Sequence, residues 1–171
     1  WSSAGFDGRC RGEKCGGPGY LDYDVGVTGL ALLAFLGAGF TPRSTETWAD
    51  EAGGKTIISG WVVRAGLDWM RGQQDAEGCL GGRTASKYMY NHAVATLALC
   101  EAYGLTKDAR LRKPAQLAVD FLAAAQNPYK AWRYTKMGGD NDTSVTGWCV
   151  MALKAAEIAG LKVDPKTYAG A

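Results

Sequence analysis

Asp142-Thr143-Ser144-Val145-Thr146-Gly147-Trp148-Cys149-Val150-Met151-Ala152-Leu153-Lys154 decides the reading of this chain, because its pattern recurs. Val27-Thr28-Gly29 falls on Val145-Thr146-Gly147, and Asp24 on Asp142. Asn91, Val94 and Leu97 take the slots of Asp24, Val27 and Leu30. Each copy is one polar residue followed by a small or apolar run that has no place on a surface. The copies stand 67 and 51 residues apart, the uneven spacing of helical hairpins joined by variable loops.

Outward from these copies the chain divides into two kinds of helix. The copy at Asp24 predicts a helix to about Ala38, capped by Asp24 and stopped by Gly39. Leu30 to Leu36 is apolar all round, which predicts burial on every side. Asn91 to about Tyr103, with Asn91 as cap, and Thr143 to Ala159, stopped by Gly160, read the same way. Between them lie one-sided helices. Thr56 to Gln73 carries Ile58, Trp61, Val62, Ala65 and Trp69 at helical spacing, a stripe expected to face inward. The other has Ala115, Ala118, Leu122 and Ala125 inward, with Pro114 in its first turn and 107–112 as a separate short turn. Residues 1–23, 40–55, 75–88 and 127–141 read as loops, and Leu161 to Ala171 as the start of another connection.

Buried and one-sided helices alternate, as inner and outer helices do around an axis. The expected fold is all-α: one partial α/α-toroid domain over 1–171, about half a ring, with repeats at about 1–74, 75–126 and 127–171. Half a ring leaves an apolar edge, so the expected partner is the remainder of its own toroid or a second copy.

Bulk properties narrow the function classes. The 171 residues are 47% hydrophobic and 21% charged, with net charge +2, so nothing suggests nucleic-acid binding. No apolar run reaches the length of a membrane span. The chain opens on Trp1, so its lack of a visible leader carries nothing. The compartment is left open, an extracytoplasmic one included. Five cysteines, two of them in apolar helices (Cys100, Cys149), are not a disulfide framework.

Each outer helix ends in a related phrase. Gln74-Asp75-Ala76-Glu77-Gly78-Cys79-Leu80 reads Q-x3-G-x-L, and Gln126-Asn127-Pro128-Tyr129-Lys130-Ala131-Trp132 reads Q-x3-K-x-W. Trp1 has the place of the last Trp in a third copy. The Gln amide suits backbone at the next repeat and the Trp suits stacking on it. With the Asp142 run, these phrases resemble the QW repeats of squalene–hopene cyclases and related prenyltransferase-like α/α-toroid proteins. The runs 90–106, 114–128, 132–134 and 139–161 are also similar in wording to squalene-cyclase-repeat proteins of planctomycete-type bacteria, a group without an assigned reaction.

The resemblance implies the fold over nearly the whole chain. It implies less about chemistry. Cyclases of that family protonate an alkene through D-x-D-D, and Asp140-Asn141-Asp142-Thr143 has only the first two acids. Prenyltransferases of that fold hold zinc through Asp, Cys and His; His92 matches the His, but no Asp-x-Cys is present. Glu77-Gly78-Cys79-Leu80 is not the thioester phrase of other relatives.

In a toroid the loops that enter inner helices share one rim. That rim would gather the ligand candidates Arg83, Tyr88, Tyr90, Asn91, His92, Trp132 and Asp140. No cofactor is certain; zinc is the one these residues suggest, through Cys10, Cys15, Cys79 and His92, with Cys10–Cys15 equally suited to a disulfide. Carboxylates Asp22, Asp24 and Asp140, or His92 with Tyr88, Asn91 and Arg83, would suit a carbohydrate-active enzyme. The leading expectation is a binding or scaffold module for an apolar small molecule, a peptide or a partner domain, with a terpenoid-cyclase-like or carbohydrate-active enzyme as the alternative.

Overall fold

The computed structural model describes residues 1–13, 16, 17, 19–50, 53–128, 131–169 and 171. The described residues form five α-helices: α1 Asp24–Gly37, α2 Ser59–Gly72, α3 Tyr88–Thr106, α4 Ala109–Ala125 and α5 Thr143–Ala159. The protein is thus mostly α-helical. α1, α3 and α5 pack side by side with α3 in the middle, α2 packs on α1, and α4 packs on α3 and α5. One apolar core runs through all five, from Leu32 and Val63 to Leu99, Leu122 and Leu153.

The sequence marks most of these boundaries physically. α5 begins where the Asp142 carboxylate accepts the free Val145 N–H at 2.9 Å and ends where Gly160 turns left-handed at φ 82°. α4 begins one residue after Asp108, whose carboxylate accepts the Arg110 N–H at 3.0 Å. Its predicted inward residues Ala115, Ala118, Leu122 and Ala125 are all buried.

Other expectations change. Pro114 lies inside α4 rather than at its first turn, because the Asp108 cap and the buried Leu111 carry the helix through 109–113. Asp24 and Asn91 are not caps. Asp24 is the first residue of α1, and its carboxylate accepts the Ser3 N–H at 2.6 Å. Asn91 is one turn inside α3, and its amide donates to the Asp22 carbonyl at 2.7 Å.

α1 is not buried on every side, since Leu30 is 50% exposed. The stretch taken as linker at 40–55 includes a strand: β1 Thr47–Ala49 pairs antiparallel with β2 Thr56–Ile58, Trp48 opposite Ile57. α2 therefore starts three residues later than expected. It is also rotated: Val63, Gly66, Leu67 and Met70 face the core, while Trp61 is 63% and Trp69 40% exposed. Both stripes are apolar, so periodicity alone did not set the phase.

Candidate functional site

The loops that lead into α3 and α5 meet above those helices. The Met89 N–H donates to the Tyr134 carbonyl at 3.1 Å, the Lys136 N–H to the Tyr88 hydroxyl at 2.7 Å, and Lys136 pairs with Glu77 at 2.9 Å. Asn91 ties the Asp22 loop to the same end. The expected rim candidates are thus near one another, but most are consumed in building it.

His92 is fully buried. Its Nδ1 accepts the Leu80 N–H at 3.0 Å, which leaves the proton on Nε2, 3.1 Å from the Ala118 carbonyl of α4. Burial lowers its pKa to about 3, so the ring is neutral. Trp132 is also fully buried. Its indole N–H donates to the Leu122 carbonyl of α4 at 2.8 Å, one of the carbonyls a helix end leaves without an intrahelical donor. Its own N–H donates to Thr146 Oγ1 at 3.2 Å. His92 and Trp132 therefore bolt successive loops to successive turns of α4. Tyr88 and Asn91 are buried and hydrogen-bonded as above.

The glutamines of the two phrases act alike. Gln74 Nε2 donates to the Pro114 carbonyl at 2.9 Å, and Gln126 Nε2 to the Thr167 carbonyl at 2.9 Å. Thr167 lies in a short 3-10 turn, Pro165–Tyr168. Each Gln reaches forward by about the same length of chain, 40 and 41 residues, to an α-helix in one case and a 3-10 turn in the other. Trp1 repeats the Trp132 pattern in part: its N donates to Thr28 Oγ1 at 3.4 Å and its carbonyl accepts from that hydroxyl at 3.1 Å.

The metal candidates are not arranged as ligands. Both His92 nitrogens are engaged. Cys79 is buried beside it, with Sγ 3.8 Å from the Leu80 carbonyl, and burial pushes its thiol up to about 12, far from a thiolate. Cys10 is half-buried near the Phe6 carbonyl. Cys15, and with it the Cys10–Cys15 pair, lies outside the described residues. Among the described residues no group of three or more His, Cys, Asp or Glu is placed to hold a metal ion. Cys100 and Cys149 are buried, as expected, and burial raises both thiols.

What remains accessible at the rim is a hydroxyl–carboxylate cluster. The Tyr90 and Tyr134 rings stack at 6.1 Å. Asp142 accepts from Tyr134 at 3.1 Å, Ser144 at 2.6 Å and Tyr90 at 3.4 Å. Lys87 and Arg133 lie over the Tyr134 ring at 4.9 and 5.2 Å, and Arg133 pairs with Asp140. The Ser144 hydroxyl, with the Val145 N–H, holds the Asp142 carboxyl down to about 2. Arg83 bridges Asp75 at 2.8 Å and Glu77 at 3.0 Å and lies over Phe121.

Sequence reasoning missed Tyr134 and Ser144, and it missed a set of matched apolar positions that stay partly accessible. Leu30, Leu97 and Trp148 occupy the same position in the three copies. They are half-exposed or partly buried, while the neighbouring Leu32, Leu99 and Val145 are fully inside. The threefold register was the signal that could have found the set.

These features define a mostly α-helical protein in which the Gln74 and Gln126 amides each bond a backbone carbonyl 40 and 41 residues further on. Comparison with protein-family models, with curated proteins and with solved structures finds no match to the chain. Among the described residues no helix is long and apolar enough to cross a membrane.

Proposed function

We propose that this chain is a prenyltransferase/squalene-cyclase-like repeat module, a partial α/α toroid, that binds an apolar ligand, peptide or partner domain along its inner helices. The observation that carries the reading is that Leu30, Leu97 and Trp148, matched in register on the packed helices α1, α3 and α5, all stay partly accessible, on the same helices that bear Tyr90 and Ser144 of the Tyr90–Tyr134–Asp142–Ser144 cluster. An amphiphilic group would lay its apolar part on these side chains and its polar part on the hydroxyls. The enzyme alternative has less support. A carboxyl held near 2 is an acceptor at ordinary pH, not the acid that an alkene protonation needs. Asp140 is already paired with Arg133, and the expected base His92 is locked inside the fold.

Titration with anilinonaphthalene sulfonate tests this. Leu97→Glu and Trp148→Glu should each weaken its binding by about tenfold, the loss of one apolar contact of ~1.5 kcal/mol. Equal affinity in both variants and the parent rules out these positions as the binding surface.

A further inference from the structure

The register that aligns Gln74 with Gln126 also aligns Val62 with Pro114, Ala65 with Leu117, Gly66 with Ala118 and Trp69 with Phe121. On α4 each of these positions is covered by the phrase that ends α2, by the loop after it or by His92 of α3. The Gln74 amide caps the Pro114 carbonyl. Gly78, at φ 94°, passes so close to Leu117 that a Cβ would stand 2.2 Å from the Leu117 carbonyl oxygen. His92 meets the Phe121 ring at 4.7 Å and Arg83 lies over it at 5.1 Å.

On α2 the same positions line an open groove with Trp1 and Thr28. Trp1 is placed there as Trp132 is placed on α5, yet it is 45% exposed whereas Trp132 is fully buried. Its indole N–H has no acceptor among the described residues, while that of Trp132 has the Leu122 carbonyl. The groove is thus the seat of a contact this protein makes elsewhere, with the other side open.

We infer that the α2–Trp1 groove docks an outer helix of the α4 type, a further repeat of this chain's own kind, ending in Gln just ahead of Trp1. Its Gln amide donates to the Val62 carbonyl. The chain that follows crosses Ala65, and the helix's last-turn carbonyl accepts the Trp1 indole N–H. The inference rests on the repeat reading above but not on Leu30, Leu97 and Trp148. Loss of dye binding in Leu97→Glu and docking at Ala65 are separate measurements, and each can fail while the other holds.

The test is a chain in which residues 109–131 are duplicated directly ahead of Trp1, with Lys130→Gly in the copy so that a glycine crosses Ala65 as Gly78 crosses Leu117, and with the copied Gln preceding Trp1 as Gln126 precedes Trp132. A scrambled extension of the same composition is its control. Docking should raise the unfolding midpoint over the control by about 4 °C or more and should slow exchange of the Trp1 indole proton. Ala65→Arg, at an exposed site, should leave the parent midpoint unchanged and cancel the gain in the extended chain. Replacing the copied Gln by Ala should remove part of it. The same 109–131 helix offered as a free peptide should protect the Trp1 indole proton in the parent and not in Ala65→Arg. A gain no larger than the scrambled control gives, or one that survives Ala65→Arg, overturns the inference.

Discussion

His92 carries the largest change of role in the molecule. As a residue type in a candidate rim it suggests a metal ligand or a base; in place it is a neutral bolt between the Leu80 N–H and the Ala118 carbonyl. Protonation would put a hydrogen on Nδ1, against the Leu80 N–H, inside a fully buried site. Burial takes its pKa from the ordinary 6.5 to about 3. A group whose folded pKa is depressed stabilises the fold above its unfolded pKa and loses that contribution as pH falls toward the folded value. The window here runs from about pH 6.5 down to about 3, with a loss on the order of a few kcal/mol. Urea unfolding at pH 7.5 and at pH 4.5 measures it. The parent should lose more stability between the two than His92→Gln, whose amide does not titrate. Equal losses would show that the imidazole is not the group responsible. Trp132 makes the same point in size rather than charge: Trp132→Ala removes a fully buried ring and its bond to Leu122, and should cost about 3–5 kcal/mol by chemical denaturation.

Between elements, the spacing of neighbouring helices depends on Gly29 and not on its counterpart in register, Gly147. A Cβ on Gly29 of α1 would stand 3.0 Å from Val94 Cγ1 and 3.2 Å from the Ala95 nitrogen of α3, whereas one on Gly147 of α5 meets nothing within 4 Å. Gly29→Ala should therefore destabilise by ~1–3 kcal/mol through overpacking. Gly147→Ala should stabilise by ~0.5–1 kcal/mol, since alanine is the better helix former. Thermal unfolding of the two variants checks the opposite signs; shifts of the same sign would mean that α1 and α3 relax apart freely. The mostly helical class and the five helices behind this contrast were legible in the sequence. The bounds Thr143–Ala159 and the Gly160 stop came out as expected because cap, apolar run and glycine all agree, whereas burial on every side did not, since Met151 is 45% and Ile158 77% exposed. The phase of α2 was not legible, because Trp61, Val62, Ala65 and Trp69 are as apolar as the Val63, Leu67 and Met70 that do face inward. Only the position of α1 decides between them. The β1–β2 pair was missed because three residues are too few for an alternation to register. The site was less legible than the fold. His92, Asn91 and Tyr88 have reactive side chains, and sequence cannot tell one spent on a neighbouring loop from one left open.

For the whole molecule, stability should follow position in the stack. α3 is held by α1 on one side, α5 on the other and α4 behind. α2 packs chiefly on α1 and shows Trp61 and Trp69 to solvent. The Pro165–Tyr168 turn is held to α4 through the Gln126 amide, and the Gln116–Lys162 pair fastens the chain just ahead of it, with bonds of 2.9 Å. In an array whose units are stabilised by their neighbours, the middle unit opens only when the whole opens, while units at the sides open alone. Native-state hydrogen exchange should therefore find the slowest amides in α3, near Ala95 to Leu99, at the free energy of global unfolding. α2 and Pro165–Tyr168 should exchange faster through local opening. Gly29→Ala should widen this gap, because it weakens the α1–α3 contact that links α2 to the rest. Uniform protection of α2 and α3 would mean that the five helices unfold as one unit, and that the Gln74–Pro114 and Trp132–Leu122 bonds couple them more tightly than neighbour-by-neighbour packing accounts for.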